Sequence, residues 1–146
     1  DGALASDPDA DRIGLVAVHK GAARFFNGNE IASILTAYIV ETRKATGRLP
    51  KNAFVVKTGV TTELMTEIAR QNGVKIVGDL LVGFKYVAAV LEAMQHQGEY
   101  QGVAATPEDF LIGAEESHGV LVSPAMNASC RRTFTRKSRL VTTPCN

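Results

Sequence analysis

The sequence predicts an α/β fold, a βαβαβ sheet with covering helices, preceded by a short β element. Three observations carry that prediction. Between residues 53 and 113, short apolar runs rich in β-branched residues alternate with segments of helical periodicity. Glycines stand where each helix has to end, at Gly47, Gly73 and Gly98. Ahead of them, Ile13-Gly14-Leu15-Val16-Ala17-Val18 is an apolar run bounded by Lys20-Gly21, the pattern of a buried strand.

In chain order, Gly2 to Ser6 is too poor in large apolar residues to read as a buried strand, and Arg24-Phe25-Phe26 is the short hairpin partner of the run at 13–18. Asn27-Gly28-Asn29 marks a turn and a helix start. Ile31, Ile34, Leu35, Tyr38 and Ile39 then recur at i, i+3, i+4, i+7 and i+8, an apolar stripe expected to face the core. Arg43, Lys44 and Arg48 complement the carbonyl end of that helix. Ala53-Phe54-Val55-Val56 opens the βαβαβ unit. Thr61 or Thr62 caps a helix bearing Leu64, Met65, Ile68 and Ala69, and Val74-Lys75-Ile76-Val77 is the second strand. A helix from Phe84 buries Val87, Val90, Leu91 and Met94. A polar loop then runs through Pro107, and residues 109–113 form the third strand, with Val120-Leu121-Val122 as its antiparallel partner. Such alternation favours a parallel-rich sheet.

At 146 residues and 45% hydrophobic content, the chain can bury one core with an attached piece. No run approaches the roughly 18 apolar residues of a membrane span, and the first residues show no signal-peptide pattern. The expected setting is the cytoplasm, without a membrane partner. Cys130 and Cys145 lack metal-type spacing and are expected to be reduced. The net charge of +1 conceals an asymmetry. Residues 125–146 contain Arg131, Arg132, Arg136, Lys137 and Arg139 and no acid, whereas residues 1–124 hold eleven basic and fifteen acidic side chains, a net of −4. Phe134 is the tail's single aromatic. A basic stretch so poor in stacking groups argues against a nucleic-acid partner, and disorder is the expectation for it.

The chemistry concentrates at Asp7-Pro8-Asp9-Ala10-Asp11-Arg12. On an extended backbone, alternate residues point to one side. Three carboxylates placed so repel one another unless a cation sits among them, and hard oxygen donors suit a divalent ion such as Mg²⁺. Arg12 beside them suits an anion that the metal also touches, and phosphate fits both. A calcium EF-hand is excluded, because Arg12 stands at the sixth position where glycine is needed and Val18 at the twelfth where a bidentate Glu belongs. A dehalogenase-type phosphatase also uses Asp-x-Asp, at the end of a buried apolar strand that Gly2 to Ser6 makes poorly; it and a solvated acidic turn stand as the rival readings.

In open α/β sheets ligands bind beyond the carboxyl ends of the strands. That rule selects three loops, Lys57 to Thr62, Gly78 to Lys85 and Gly113 to Gly119. Lys57 reads either as a site lysine or as a solvated strand-end lysine, and Phe84 as a ligand contact or as helix packing. His118 reads as a proton-transfer group or as a surface-turn histidine.

The stretch Ser6-Asp7-Pro8-Asp9-Ala10-Asp11-Arg12 resembles the metal-binding loop of the α-D-phosphohexomutases, the phosphoglucomutase/phosphomannomutase family. Gly83-Phe84-Lys85 and Gly113-Ala114-Glu115-Glu116-Ser117 resemble two further motifs of that family, in the same order, so the resemblance covers residues 1 to about 124. It implies three parts: residues 1–26 as the end of the family's second domain with its metal loop, residues 27–124 as a third-domain-like α/β unit, and residues 125–146 as an unmatched basic tail.

The resemblance also implies an activity, the reversible exchange of phosphate between the 1- and 6-positions of a hexose through a phosphoserine and Mg²⁺. Asp7, Asp9 and Asp11 would hold the metal, while Arg12, Lys57 and His118 would take catalytic positions. Gly83, Phe84 and Lys85 would form a loop that tells substrate orientations apart. Glu115 and Ser117 would hold adjacent sugar hydroxyls from a solvent-facing loop, with Glu116 an uninvolved neighbour. Phe84 stands where mannose-type members tend to have histidine, so the implied hexose phosphates are glucose 1-phosphate and glucose 6-phosphate. No Thr-Ala-Ser-His-Asn-like motif occurs. The expectation is therefore a piece without the family's first and fourth domains and without turnover of its own. The alternative is a non-catalytic sugar-phosphate-binding or interaction module that reuses the fold.

Overall fold

A computed structural model describes residues 2–123 of the chain; the basic tail and both cysteines lie outside the described residues. Gly2–Ser6 (β1), Ile13–His19 (β2) and Ala22–Phe26 (β3) form a three-stranded antiparallel sheet in sequence order. β1 belongs in a sheet although its sequence is too weakly apolar for a buried strand, because a ladder needs only main-chain groups. It pairs with β2 from Gly2 opposite Ala17 to Ser6 opposite Ile13, with all five residues exposed. β2, expected to be buried, is only half-buried. This sheet packs no deep core of its own.

The helix Gly28–Ala45 (α1) starts at a reciprocal cap: Asn27 accepts the Glu30 amide and Glu30 accepts the Asn27 amide, both at 3.0 Å. Its buried stripe differs from the expected one. Ile31, Ala32, Thr36 and Val40 face inward, while Ile34 and Tyr38 are 46% and 65% exposed. Ala32 and Thr36 are short side chains one turn apart and let the helix lie close to the sheet, which rotates the larger Tyr38 outward.

The second sheet is built from Phe54–Thr58 (β4), Lys75–Leu80 (β5), Phe110–Ala114 (β8) and Val120–Val122 (β9), in the order β5-β4-β8-β9. β4 runs parallel to both neighbours, and β9 is antiparallel to β8. Its crossovers are Glu63–Gln71 (α2), capped by the Thr62 hydroxyl, and Phe84–Gln97 (α3). Between α3 and β8 the expected polar loop contains a tiny hairpin, Glu99–Tyr100 (β6) with Val103–Ala104 (β7), and one 3₁₀ turn. Two-residue strands are too short for side-chain periodicity to register.

β4 and β8 are buried along their whole length. Val55 packs with Ala32, Val40 and Met65 beneath α1 and α2, whereas Phe54 and Val56 pack with Val87, Val90 and Met94 beneath α3. The alternation along β4 thus serves two helical layers. The carboxyl ends of β4, β5 and β8 open onto the three loops that the sequence singles out.

Candidate ligand site at the strand ends

The aspartate loop does bring its carboxylates together, with one oxygen from each of Asp7, Asp9 and Asp11 lying within 4.8 Å of the others. The means is a turn and not an extended run. Ala10 adopts φ +58°, and its N–H donates to the Asp7 carbonyl at 3.0 Å. The Arg12 amide donates to the Asp7 carboxylate at 3.0 Å and holds that carboxyl below the usual aspartate range. Asp11 is raised above it, first by loss of hydration and then by the neighbouring Asp9 and Asp7 charges. The Arg12 guanidinium lies 3.9 Å from Asp7 and remains largely exposed.

Main-chain bonds fasten this loop to the turn between β8 and β9. The Val120 amide donates to the Asp11 carbonyl at 3.0 Å, the Ile13 amide donates to the His118 carbonyl at 3.1 Å, and Arg12 bridges to Gly119. Within the turn, the Glu115 amide donates to the Gly119 carbonyl at 2.9 Å, with His118 at φ +73°.

Glu115 overturns the expectation of a solvent-facing carboxylate. It is only 6% exposed, and its Oε1 accepts the Gly83 amide at 2.6 Å, joining the loop after β5 to the turn after β8. Gly83 reaches that position at φ +128°, where a side chain would be strained. Phe84 packs against Gly119, whose missing Cβ leaves room for the ring and for the Glu115 carboxylate. Lys85 is exposed, its Nζ 5.0 Å from the Tyr86 ring centre.

Glu116 is no bystander either. Its Oε2 accepts from the Thr58 hydroxyl at 3.2 Å and from the Thr61 hydroxyl at 3.5 Å, and those two hydroxyls lie 2.8 Å apart. Lys57 is buried, so the reading of a solvated strand-end lysine falls. Its Nζ donates to Glu63 at 2.8 Å and to the Thr61 carbonyl at 3.1 Å, and the bond holds the Glu63 carboxyl low. Ser117 is half-buried in the turn. The His118 ring lies 5.9 Å from that of Phe25, with its Nε2 buried and unpartnered among the described residues.

An open cleft of about 530 Å³ runs between Arg24, Asn29, Thr62, Glu116 and His118, and a second of about 550 Å³ passes Ser6, Asp11 and Arg12. Neither contains both the aspartates and Glu115. The loops meet through hydrogen bonds. Sequence reasoning missed Thr58, Thr61 and Glu116 as a unit. The Thr-x-x-Thr step off β4 was the available signal, but its acceptor lies more than fifty residues away.

The family model of the phosphoglucomutase/phosphomannomutase alpha/beta/alpha domain III matches residues 27–130. The chain is 34% identical to a phosphoglucomutase of Staphylococcus saprophyticus over 124 residues, which are 83% of this chain and 20% of that protein. It is 30% identical to a phosphomannomutase of Mycoplasma genitalium over 124 residues, 85% of this chain and 20% of that one. The chain spans about a fifth of the length of these curated relatives. Among solved structures, pp63/parafusin, a phosphoglucomutase from Paramecium, shares the fold with a TM-score of 0.54 at 18% identity, over 83% of this chain and 17% of that one.

Proposed function

The chain belongs to the phosphoglucomutase/phosphomannomutase family, and from that premise we propose that it supplies the metal loop and the sugar-recognition turn of a hexose-phosphate mutase. Residues 1–26 are then the end of the second domain, and residues 27–124 the third. One observation carries the reading: three carboxylates converge within 4.8 Å in a loop whose main chain is hydrogen-bonded to the turn bearing Glu115 and Ser117.

The donor set fits Mg²⁺. It consists of three facing carboxylates, of which Asp11 is held above the usual aspartate range first by loss of hydration and then by the Asp9 and Asp7 charges. Bound there, Mg²⁺ would withdraw charge from a phosphoryl group and fix its direction. The Arg12 amide holds the Asp7 carboxylate in place, and the exposed guanidinium offers a fork to phosphate oxygens. Ser117 can both donate to and accept from a sugar hydroxyl. Glu115 meets a hydroxyl only by sharing or releasing the Gly83 amide. Lys57, buried and paired with the exposed Glu63, shapes the loop after β4, while Lys85 remains available to a phosphate.

Glucose 1-phosphate and glucose 6-phosphate are the proposed ligands, with Phe84 the basis for preferring them to mannose phosphates. The 146 residues contain no phosphoserine motif of the family's type, so binding without turnover is the activity proposed for this chain alone. No described helix is long and apolar enough to cross a membrane, and the cytoplasm is the proposed setting. Calorimetric titration tests the reading. Mn²⁺ should bind, with Asp9→Asn weakening it at least about fivefold, and glucose 6-phosphate should bind without conversion in a coupled assay. Equal Mn²⁺ affinity of wild type and Asp9→Asn would instead favour an interaction module with a solvated aspartate loop.

A further inference from the structure

Glu116 lies between the two residues assigned to the sugar, yet its carboxylate points the other way, into the end of β4. We propose that Glu116 is the positioning residue of this turn, locking residues 115–119 onto the β4 end through Thr58 and Thr61. Its relevance to ligand binding rests on the reading of the turn as a sugar-phosphate site.

The proton count supports the lock. Thr58 and Thr61 have one hydroxyl proton each and lie 2.8 Å apart, so one hydroxyl donates to the other and the remaining proton needs an acceptor. The Glu116 carboxylate, 3.2 Å from Thr58, accepts it as the charged end of a three-member chain. The base to which it is tied is itself stiff. Thr58 and Thr61 are buried, the Thr61 amide donates to the Thr58 carbonyl at 3.1 Å, and Lys57 bonds the Thr61 carbonyl at 3.1 Å. Lys57 is meanwhile paired with Glu63, so among the described residues Glu116 answers to the hydroxyls and not to a cation.

The main chain of Glu116 is held as well. Its carbonyl lies against Gly28 at the start of α1, where a Cβ would collide with it. Glu115 reaches Gly83 on one side while Glu116 reaches Thr58 on the other. Adjacent carboxylates thus tie the loops after β5 and β4 to the turn after β8. Ser117, one residue on, takes its place from this double attachment.

Amide hydrogen exchange and glucose 6-phosphate titration by NMR, on the full 146-residue chain, test the proposal. The Glu115 and Val120 amides are hydrogen-bonded at the two ends of the turn and report its opening. Glu116→Ala should raise their exchange at least tenfold while leaving Val55 and Val56 of β4 unchanged, and should weaken glucose 6-phosphate at least fivefold. Thr61 can then turn to the Ala114 carbonyl at 3.4 Å, so the variant leaves no orphan hydroxyl and should fold. Glu116→Gln keeps an acceptor oxygen and should stay within threefold of wild type in both readouts. Thr58→Val, cutting the same bond from the other end, should reproduce the exchange increase. Wild-type exchange in Glu116→Ala, an equal rise throughout β4, or a failure of Gln to rescue would overturn the positioning role. If wild type itself does not bind glucose 6-phosphate, the ligand reading fails, and the exchange comparison still decides the lock.

Discussion

The aspartate loop and the turn after β8 share two main-chain hydrogen bonds, Val120 to Asp11 and Ile13 to His118, yet they hold their carboxylates in opposite ways. In the first, three charges stand near solvent and face one another, and one of them is pushed above its ordinary pKa. In the second, Glu115 is buried and Glu116 half-buried, and each accepts from protein donors. Two acidic clusters far apart in sequence but joined in the fold, residues 7–11 and 115–116, therefore differ in what surrounds them. The aspartates are left facing one another without protein cations between them among the described residues, whereas the glutamates already act as structure, and a ligand at Glu115 would have to compete with a peptide amide.

The largest effect should come from the seat of the turn. Gly28→Ala places a methyl against the Glu116 carbonyl and 2.7 Å from the His118 nitrogen, main-chain atoms that no rotamer change can move. Overpacking of that kind costs about 3 kcal/mol, roughly 10 °C in Tm for a chain of this length, measurable by thermal melting. A melt within about 2 °C of wild type would show that the seat is loose.

Glu115→Ala should come next. It orphans the Gly83 amide inside the fold, a loss of about 2 kcal/mol, and should lower Tm by roughly 6 °C. No change in Tm would restore Glu115 to the solvent-facing class and erase the contrast between the two loops.

Asp9→Asn should behave in the opposite way. Removing one of three facing charges relieves repulsion, so Tm should hold or rise slightly while Mn²⁺ affinity drops at least about fivefold. A Tm loss comparable to that of Glu115→Ala would mean that the aspartates also serve the fold.

The smallest effect is on pH dependence, because the two shifted aspartates oppose each other. Asp7, held low, contributes stability above its unfolded value that is lost as pH falls through its folded pKa. Asp11, held high, does the reverse, since its protonation as pH falls through its folded pKa relieves first the poor hydration of the charge and then the repulsion of Asp9 and Asp7. Between about pH 6 and 4 the loop should shift Tm by no more than about 1 °C, whereas Mn²⁺ affinity should begin to fall above the free aspartate value of about 4. Calorimetry across that range separates the two responses.

The alternation of strands and helices was legible because each element buries a face, and burial writes its period into the side chains. The same signal misled where burial was absent or shared. β1 is a strand made by main-chain pairing alone, and Tyr38 looked like core because its spacing fits a helical stripe. The Asp7, Asp9 and Asp11 group was legible because like charges so close together have few explanations. Their convergence through a turn at Ala10, and not through extended alternation, was not.

By itself, then, the sequence determined the βαβαβ order, the loops at the strand ends and the clustering of the carboxylates of residues 7–11. The tertiary structure alone decided what Glu115, Glu116 and Lys57 do. A carboxylate or ammonium carries no mark of its partner, and those partners, Gly83, Thr58 and Glu63, are set by how parallel strands bring separate loops to one end of the sheet.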